Sequence, residues 1–292
     1  MPTHEHVAIH RPARRQAGGL MTTDHTTTAA TWIDTHVHVW DEASVIARDS
    51  AYRPAYLAPF TQTRALWDAH GVAAGVLVQP SFLGTDNDMI ARTLASDPTR
   101  LRAIIVADPI RDMPRLSALD ASGVRGIRFN LISSGPLPDL ETPVWRGFAA
   151  ALRDLGWHVL VAAPAPVLRS ALSPLRGLGL PIVIDHFGMP DPVTGSACPA
   201  WRAILQGGAR AGDLWLKTSA AYRLSRVPPI DLWPVVLDLM PMDRVIWGSD
   251  WPWTRHERGR SMAEAQRAPL AGLPDAHRAA VTADNARRLY GF

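Results

Sequence analysis

Eight short apolar runs, each followed by a stretch of helical or turn-forming sequence, constrain this chain more than any other feature. They lie near residues 31–39, 75–79, 102–107, 124–130, 157–162, 181–186, 214–219 and 244–249. Each is about 5 to 8 residues of nearly continuous apolar sequence, as expected of strands buried on both faces of a parallel sheet. Between them, Thr63–His70, Asp88–Ser96, Val144–Leu155, Val167–Leu175, Ala200–Arg210 and Leu232–Leu239 carry apolar residues at helical spacing. Gly71 and Gly156 follow two of these runs as C-terminal caps, and Pro98 stands just beyond another.

Eight such alternations predict an α/β fold of the (β/α)8 type, a TIM barrel, whose usual length is about 250 residues. A doubly wound sheet is the second choice, but no Gly-rich dinucleotide fingerprint follows the first run. No repeat or break in composition divides residues 31–292, so they read as one domain. Residues 1–30 are rich in His, Arg and Thr with almost no apolar periodicity, and read as a disordered tail in which Met21 competes with Met1 as the start.

Composition excludes several classes of function. The formal net charge is only +3 and no basic stripe is present, which argues against nucleic-acid binding. No apolar run approaches the ~20 residues of a membrane span. The single cysteine, Cys198, forbids an intrachain disulfide and fits a reducing cytoplasm. The sequence specifies no oligomeric state.

If the barrel is right, polar residues gather at the C-terminal ends of its strands. In Trp32-Ile33-Asp34-Thr35-His36-Val37-His38-Val39-Trp40, strict alternation would set Asp34, His36 and His38 on one face. Ile33, Val37 and Val39 would share the other. Two adjacent imidazoles can polarise a carbonyl, hold a water or bind a divalent metal; alone, each is more simply a core histidine. The sixth run ends in His186, placed on the face of Ile182 and Ile184, and the eighth in Asp250. Arg128 and Asn130 close the fourth, Gln79-Pro80-Ser81 the second and Lys217-Thr218-Ser219 the seventh.

Simpler readings stand beside these. Asp250 suits a turn cap, Asp185 a backbone contact and Arg128 a structural ion pair. His158 reads as a satisfied core histidine and His70 as a helix cap, whereas His256 borders the mouth. Trp251 and Trp253 are placed to wall a pocket.

Seven blocks in order then carry a resemblance: DTHVHVW (34–40), VQPSFLGTDN (78–87), GVRGIRFN (123–130), LGWHV (155–159), VIDHFG (183–188), RVIWGSDWP (244–252) and DNARRLYGF (284–292). The chain resembles the amidohydrolase superfamily, and within it the branch of 2-pyrone-4,6-dicarboxylate lactonase and related sugar-lactone and muconolactone hydrolases. The resemblance implies that Asp250 is the general base that activates water. It implies that His36, His38 and His186 polarise the scissile carbonyl, directly or through a metal. The cofactor is then either none or one divalent ion, zinc first, held by His36, His38, His186 and Asp250. Lys217 is the only lysine and belongs to the seventh run rather than the fourth, which excludes the binuclear site built on a carboxylated lysine.

The resemblance also assigns substrate-binding roles to Arg128, Arg223 and Ser81, with Asn130 beside Arg128. Other anion-gripping positions depart from the pattern: Ser134 and Met189 stand where arginines are expected, Ala162 for a tyrosine and Arg255 for an asparagine. The expected partner is therefore a small lactone or cyclic ester with one anionic group near Arg128 and Arg223. A metal-dependent decarboxylase, a lactone isomerase and a non-catalytic binding barrel remain the alternatives.

Overall fold

The computed structural model describes residues 31–292, so the tail proposed for residues 1–30 lies outside the described residues. The eight apolar runs form eight strands: β1 (Trp32–Val37), β2 (Val72–Val78), β3 (Leu101–Ile105), β4 (Val124–Asn130), β5 (His158–Ala162), β6 (Ile182–Ile184), β7 (Leu214–Thr218) and β8 (Val245–Trp247). Each pairs in parallel with the next, in chain order. A parallel bridge between Val37 and Trp251 closes the ring at its C-terminal end. There the His38 amide donates to the Trp251 carbonyl at 2.8 Å, and the Asp250 amide to the His36 carbonyl at 2.9 Å. The fold is a TIM barrel. Its closing seam joins the histidine motif of β1 directly to the aspartate after β8.

Alternation along the strands makes two cores. Ile33, Val76, Ile104, Leu160, Val183 and Ile246 fill the barrel interior, and Tyr290 at the end of the chain's last helix joins that cluster. Leu77, Ile105, Ile127, Val161 and Leu216 face outward onto the helices. Complete burial of such a side chain contributes about 1.5–3 kcal/mol. The helix Asp88–Ser96 matches its sequence pattern. Pro143–Asp154, Ala165–Gly177, Pro199–Ala211 and Pro229–Leu239 begin slightly earlier than their apolar spacing predicts, each with a proline in its first turn. Proline costs nothing there, because first-turn amides have no intrahelical partner. The short helices Pro109–Asp112 and Leu116–Ala121 are too brief to show a period. No helix among the described residues is long and apolar enough to cross a membrane.

Two expectations about facing are corrected, and both corrections shape the site. In β1, Asp34 pairs with Gly75 and Val37 with Leu77, so Thr35 and His36 together oppose the single residue Val76. This β-bulge shifts the alternation by one. Ile33 consequently joins the interior cluster while Val37 joins the outer one. Asp34 leaves the face of His36 and His38: its Oδ2 accepts from the indole of Trp67 at 3.1 Å, on the helix Phe60–Ala69. Its Oδ1 accepts from the amides of His36 (3.1 Å) and Ser249 (2.8 Å), clamping the bulge. A Cβ on Gly75 would collide with the Trp67 ring, so glycine is required where the indole crosses.

The second correction concerns β6, where Ile182 and Ile184 face the helices and Val183 faces the interior. A regular continuation would send His186 outward with the isoleucines. Instead His186 has φ 54°, in the left-handed region, and its ring lies 5.2 Å from that of His36.

Candidate active site

Where β1 meets the turn after β8, three ligand-type atoms converge. His36 Nε2 lies 3.2 Å from His38 Nε2. Asp250 Oδ1 lies 3.4 Å from the first and 3.6 Å from the second, and has no hydrogen-bond donor. The bulge turns His36 inward, and Gly248 makes room for it: a Cβ at that glycine would stand 2.8 Å from the His36 Cβ. His38 Nδ1 donates to the Val78 carbonyl at 2.7 Å, which leaves its Nε2 as a lone pair aimed at the cluster.

The groups differ in charge for a physical reason. Burial disfavours the imidazolium and lowers His36, His38 and His186, the last to about 3, so all three rings are neutral. Burial also opposes ionisation of Asp250, but the Arg223 guanidinium outweighs it and holds the carboxyl well below the usual carboxylate range. The Asp250 Oδ2 accepts from Tyr222 Oη at 2.5 Å and Arg223 Nε at 3.0 Å. One carboxylate oxygen is therefore anchored and the other is free.

These residues fit a divalent cation. His36, His38 and Asp250 form one buried group, and His36, Asp185 and His186 a second, with ligand atoms within 4.8 Å of one another in each. Tetrahedral ligands at about 2.0–2.2 Å from an ion stand roughly 3.3–3.6 Å apart. The separations in the first group, 3.2 to 3.6 Å, match that spacing. His186 is less closely placed; its Nδ1 pairs with Ser219 Oγ at 2.9 Å.

Below the cluster lies a pair whose contacts the sequence reading missed. Asp185 and Lys217 are completely buried, 3.3 Å apart. Alternation points to both, since Val183 and Trp215, two residues before them, belong to the interior cluster. Tyr222 carried no local signal; only the fold of the segment after β7 brings it to Asp250.

The expected anion-binding residues divide. Arg128 is 6% exposed, donates from Nη1 to the Gln79 carbonyl at 3.0 Å and leaves its Nε without a partner. Arg223, expected to grip substrate, spends its Nε on Asp250 and its Nη2 on the Thr254 carbonyl at 3.1 Å. Ser81 and Asn130 meet through Ser133, at 3.2 and 2.9 Å, forming a small hydroxyl-amide network at the end of β4. Trp253 and Tyr222 help to wall a small side pocket. The His256 ring lies 5.1 Å from that of Tyr222. His158 is a core residue packed on Tyr290, but its Nε2 has no partner, so it is not the satisfied histidine expected. His70 takes the cap position of its helix.

Residues 33–292 match the sequence model of the amidohydrolase family. The chain belongs to that family. This amidohydrolase is 29% identical over 272 residues to a 4-sulfomuconolactone hydrolase of Rhizobium radiobacter, covering 88% of this chain and 89% of that protein. It is 29% identical over 238 residues to a 2-pyrone-4,6-dicarboxylate hydrolase of Comamonas testosteroni, covering 75% and 76%. A crystal structure of a probable 2-pyrone-4,6-dicarboxylic acid hydrolase from Acinetobacter baumannii, with citric acid bound, superposes with a TM-score of 0.83 at 32% identity. That match covers 90% of this chain and all of the other. The resemblance carried by the seven sequence blocks thus holds along the amidohydrolase barrel.

Proposed function

We propose that this amidohydrolase opens a lactone or cyclic ester bearing one anionic group, by attack of water on the ring carbonyl. The observation that carries the proposal is the free Asp250 Oδ1, facing two imidazole Nε2 atoms within 3.6 Å. Asp250 Oδ1 accepts a proton as the water oxygen bonds to the carbonyl carbon. The ring C–O bond then breaks, and that proton passes to the leaving alkoxide, giving a hydroxy acid. The Nε2 lone pair of His38 suits a cation and cannot donate to the developing oxyanion; of the three rings, His186, whose Nδ1 can accept from Ser219 Oγ, is the one able to offer an N–H. A divalent ion, zinc by its fit to this donor set, would be held by His36, His38 and Asp250 with His186 beside them. When bound, it supplies Lewis acidity that polarises the carbonyl and acidifies water.

Charge supports an anionic substrate. Lys217 is paired with Asp185 and Arg223 with Asp250, which leaves Arg128 as a buried cation with no carboxylate partner among the described residues. A single substrate carboxylate or sulfonate would pair with that guanidinium. Arg128 is its best anchor, because Arg223 is engaged with Asp250; Ser81 and Asn130 border the same side. The relatives act on anionic lactones by name, and the Acinetobacter structure holds citric acid. The lone buried Cys198 suits the cytoplasm, where we place the enzyme.

The test is a panel of anionic and neutral lactones followed by base uptake at constant pH, with metal content measured on the same protein. Stoichiometric base uptake with preference for monoanionic lactones is expected. Release of CO2 from a carboxylated substrate, without base uptake from any lactone, would replace hydrolysis by decarboxylation.

A further inference from the structure

The buried pair beneath the cluster has a specific use. Asp185 Oδ1 lies 3.1 Å from His36 Nδ1 and 3.3 Å from Lys217 Nζ. Lys217 Nζ also donates to the carbonyl of Thr35 at 2.9 Å and stands 3.3 Å from His36 Nδ1 itself. Two proton arrangements are open to the imidazole. Either Nδ1 carries the proton and donates to Asp185, or Nδ1 is a lone pair accepting from Lys217 and Nε2 carries the proton.

The choice follows from the needs of the carboxylate. Asp185 is fully buried and its Oδ2 already lacks a donor. Taking the proton from Nδ1 would leave a buried anion with Lys217 as its only close donor, a costly state in a low dielectric. A proton on Nε2 would have only the neutral His38 Nε2 at 3.2 Å or Asp250 Oδ1 at 3.4 Å, the latter outside hydrogen-bond geometry, and a charge-assisted N–H to a carboxylate is about twice as strong as one to a neutral imidazole. Lys217 meanwhile spends its own hydrogens on Thr35 and Asp185, pinning the bulge that carries His36.

We propose that Asp185, held by Lys217, is a positioning residue that fixes His36 with its proton on Nδ1 and its Nε2 lone pair aimed at His38 Nε2 and Asp250 Oδ1. The inference rests on the reading of those three atoms as the reacting centre. It explains why three electron-rich atoms can stand so close: each is denied the proton that would relieve the crowding, and the space between them demands a cation or a polarised water. Outer contacts of this kind typically change ligand affinity or activity by about 10- to 100-fold when removed.

Nitrogen-15 NMR of histidine-labelled, metal-stripped protein reads the tautomer directly, with His36 assigned by comparison with His36→Gln. The wild-type protein is expected to show a protonated Nδ1 and a lone-pair Nε2 at His36. In Asp185→Asn, whose amide can donate to Nδ1, the two signals should exchange character, and turnover should fall about 10- to 100-fold with KM little changed. A protonated Nε2 in the wild type overturns the proposal without recourse to any variant. So does an Asp185→Asn protein whose tautomer is unmoved while its activity is lost. Because the tautomer is read without substrate, failure of the lactone assay leaves this measurement standing on its own.

Discussion

The rim of this barrel has two unlike arcs. After β6, β7 and β8 the chain holds eight non-glycine residues with left-handed φ, His186 (54°) and Asp250 (59°) among them. After β1 to β5 it holds none among the described residues. Such a conformation costs about 1–3 kcal/mol per residue and persists only where surrounding contacts enforce it. In the plain arc, Arg128 and Asn130 simply occupy successive inward positions of β4. In the strained arc, and in the bulge of β1 that adjoins it, side chains are aimed against their own alternation. Regular pleat thus carries the proposed anion grip, and irregular backbone brings together the proposed reacting groups.

The largest effect should come from the strained arc. Asp250→Asn keeps the side chain's shape and removes its basicity, so lactone turnover should fall by about 10²- to 10⁴-fold with KM largely retained. Base uptake at constant pH measures this, and undiminished turnover would strip Asp250 of the role of base. The plain arc should answer differently. Arg128→Gln removes a buried charge-assisted contact of roughly 1.5–3 kcal/mol, so KM for an anionic lactone should rise about 10- to 100-fold with a smaller change in kcat. Equal losses in kcat for both variants would erase the division between gripping and reacting arcs.

The smallest effect concerns stability, in the interior of the plain arc. Burial, then the charge of Lys217, lower His158 to about 3 from the usual value of 6.5. The unfolded chain therefore takes up this proton first as pH falls. Stability present above pH 6.5 is lost progressively as pH drops through that window towards 3. His158→Phe should flatten this loss by up to about 1.4 kcal/mol per pH unit, read from urea midpoints at pH 7 and pH 5. An unchanged slope would mean that His158 takes up its proton equally in the folded and unfolded chain.

Much of the architecture was legible because strand burial is a local property. The eight runs marked their strands, and the polar residues that end them marked the rim. His36, His38 and Asp250 were legible as candidates by the same logic. The facing of Asp34 and His186 was not, because a bulge and a left-handed turn leave no period in the sequence. Arg223 was named only through the family resemblance, as a substrate-gripping arginine, and its engagement with Asp250 depends on how the segment after β7 folds back.

The sequence by itself determined the number, order and parallel sense of the strands, through apolar runs whose length and spacing admit few other solutions. Tertiary structure decided which polar atoms meet. His36 touches Asp185 across 149 residues and Lys217 across 181. Such contacts depend on register around a closed ring, and a shift of one residue in β1 would turn both histidines to the opposite face. Clamped by Asp34 and pinned by Lys217, the bulge holds that register.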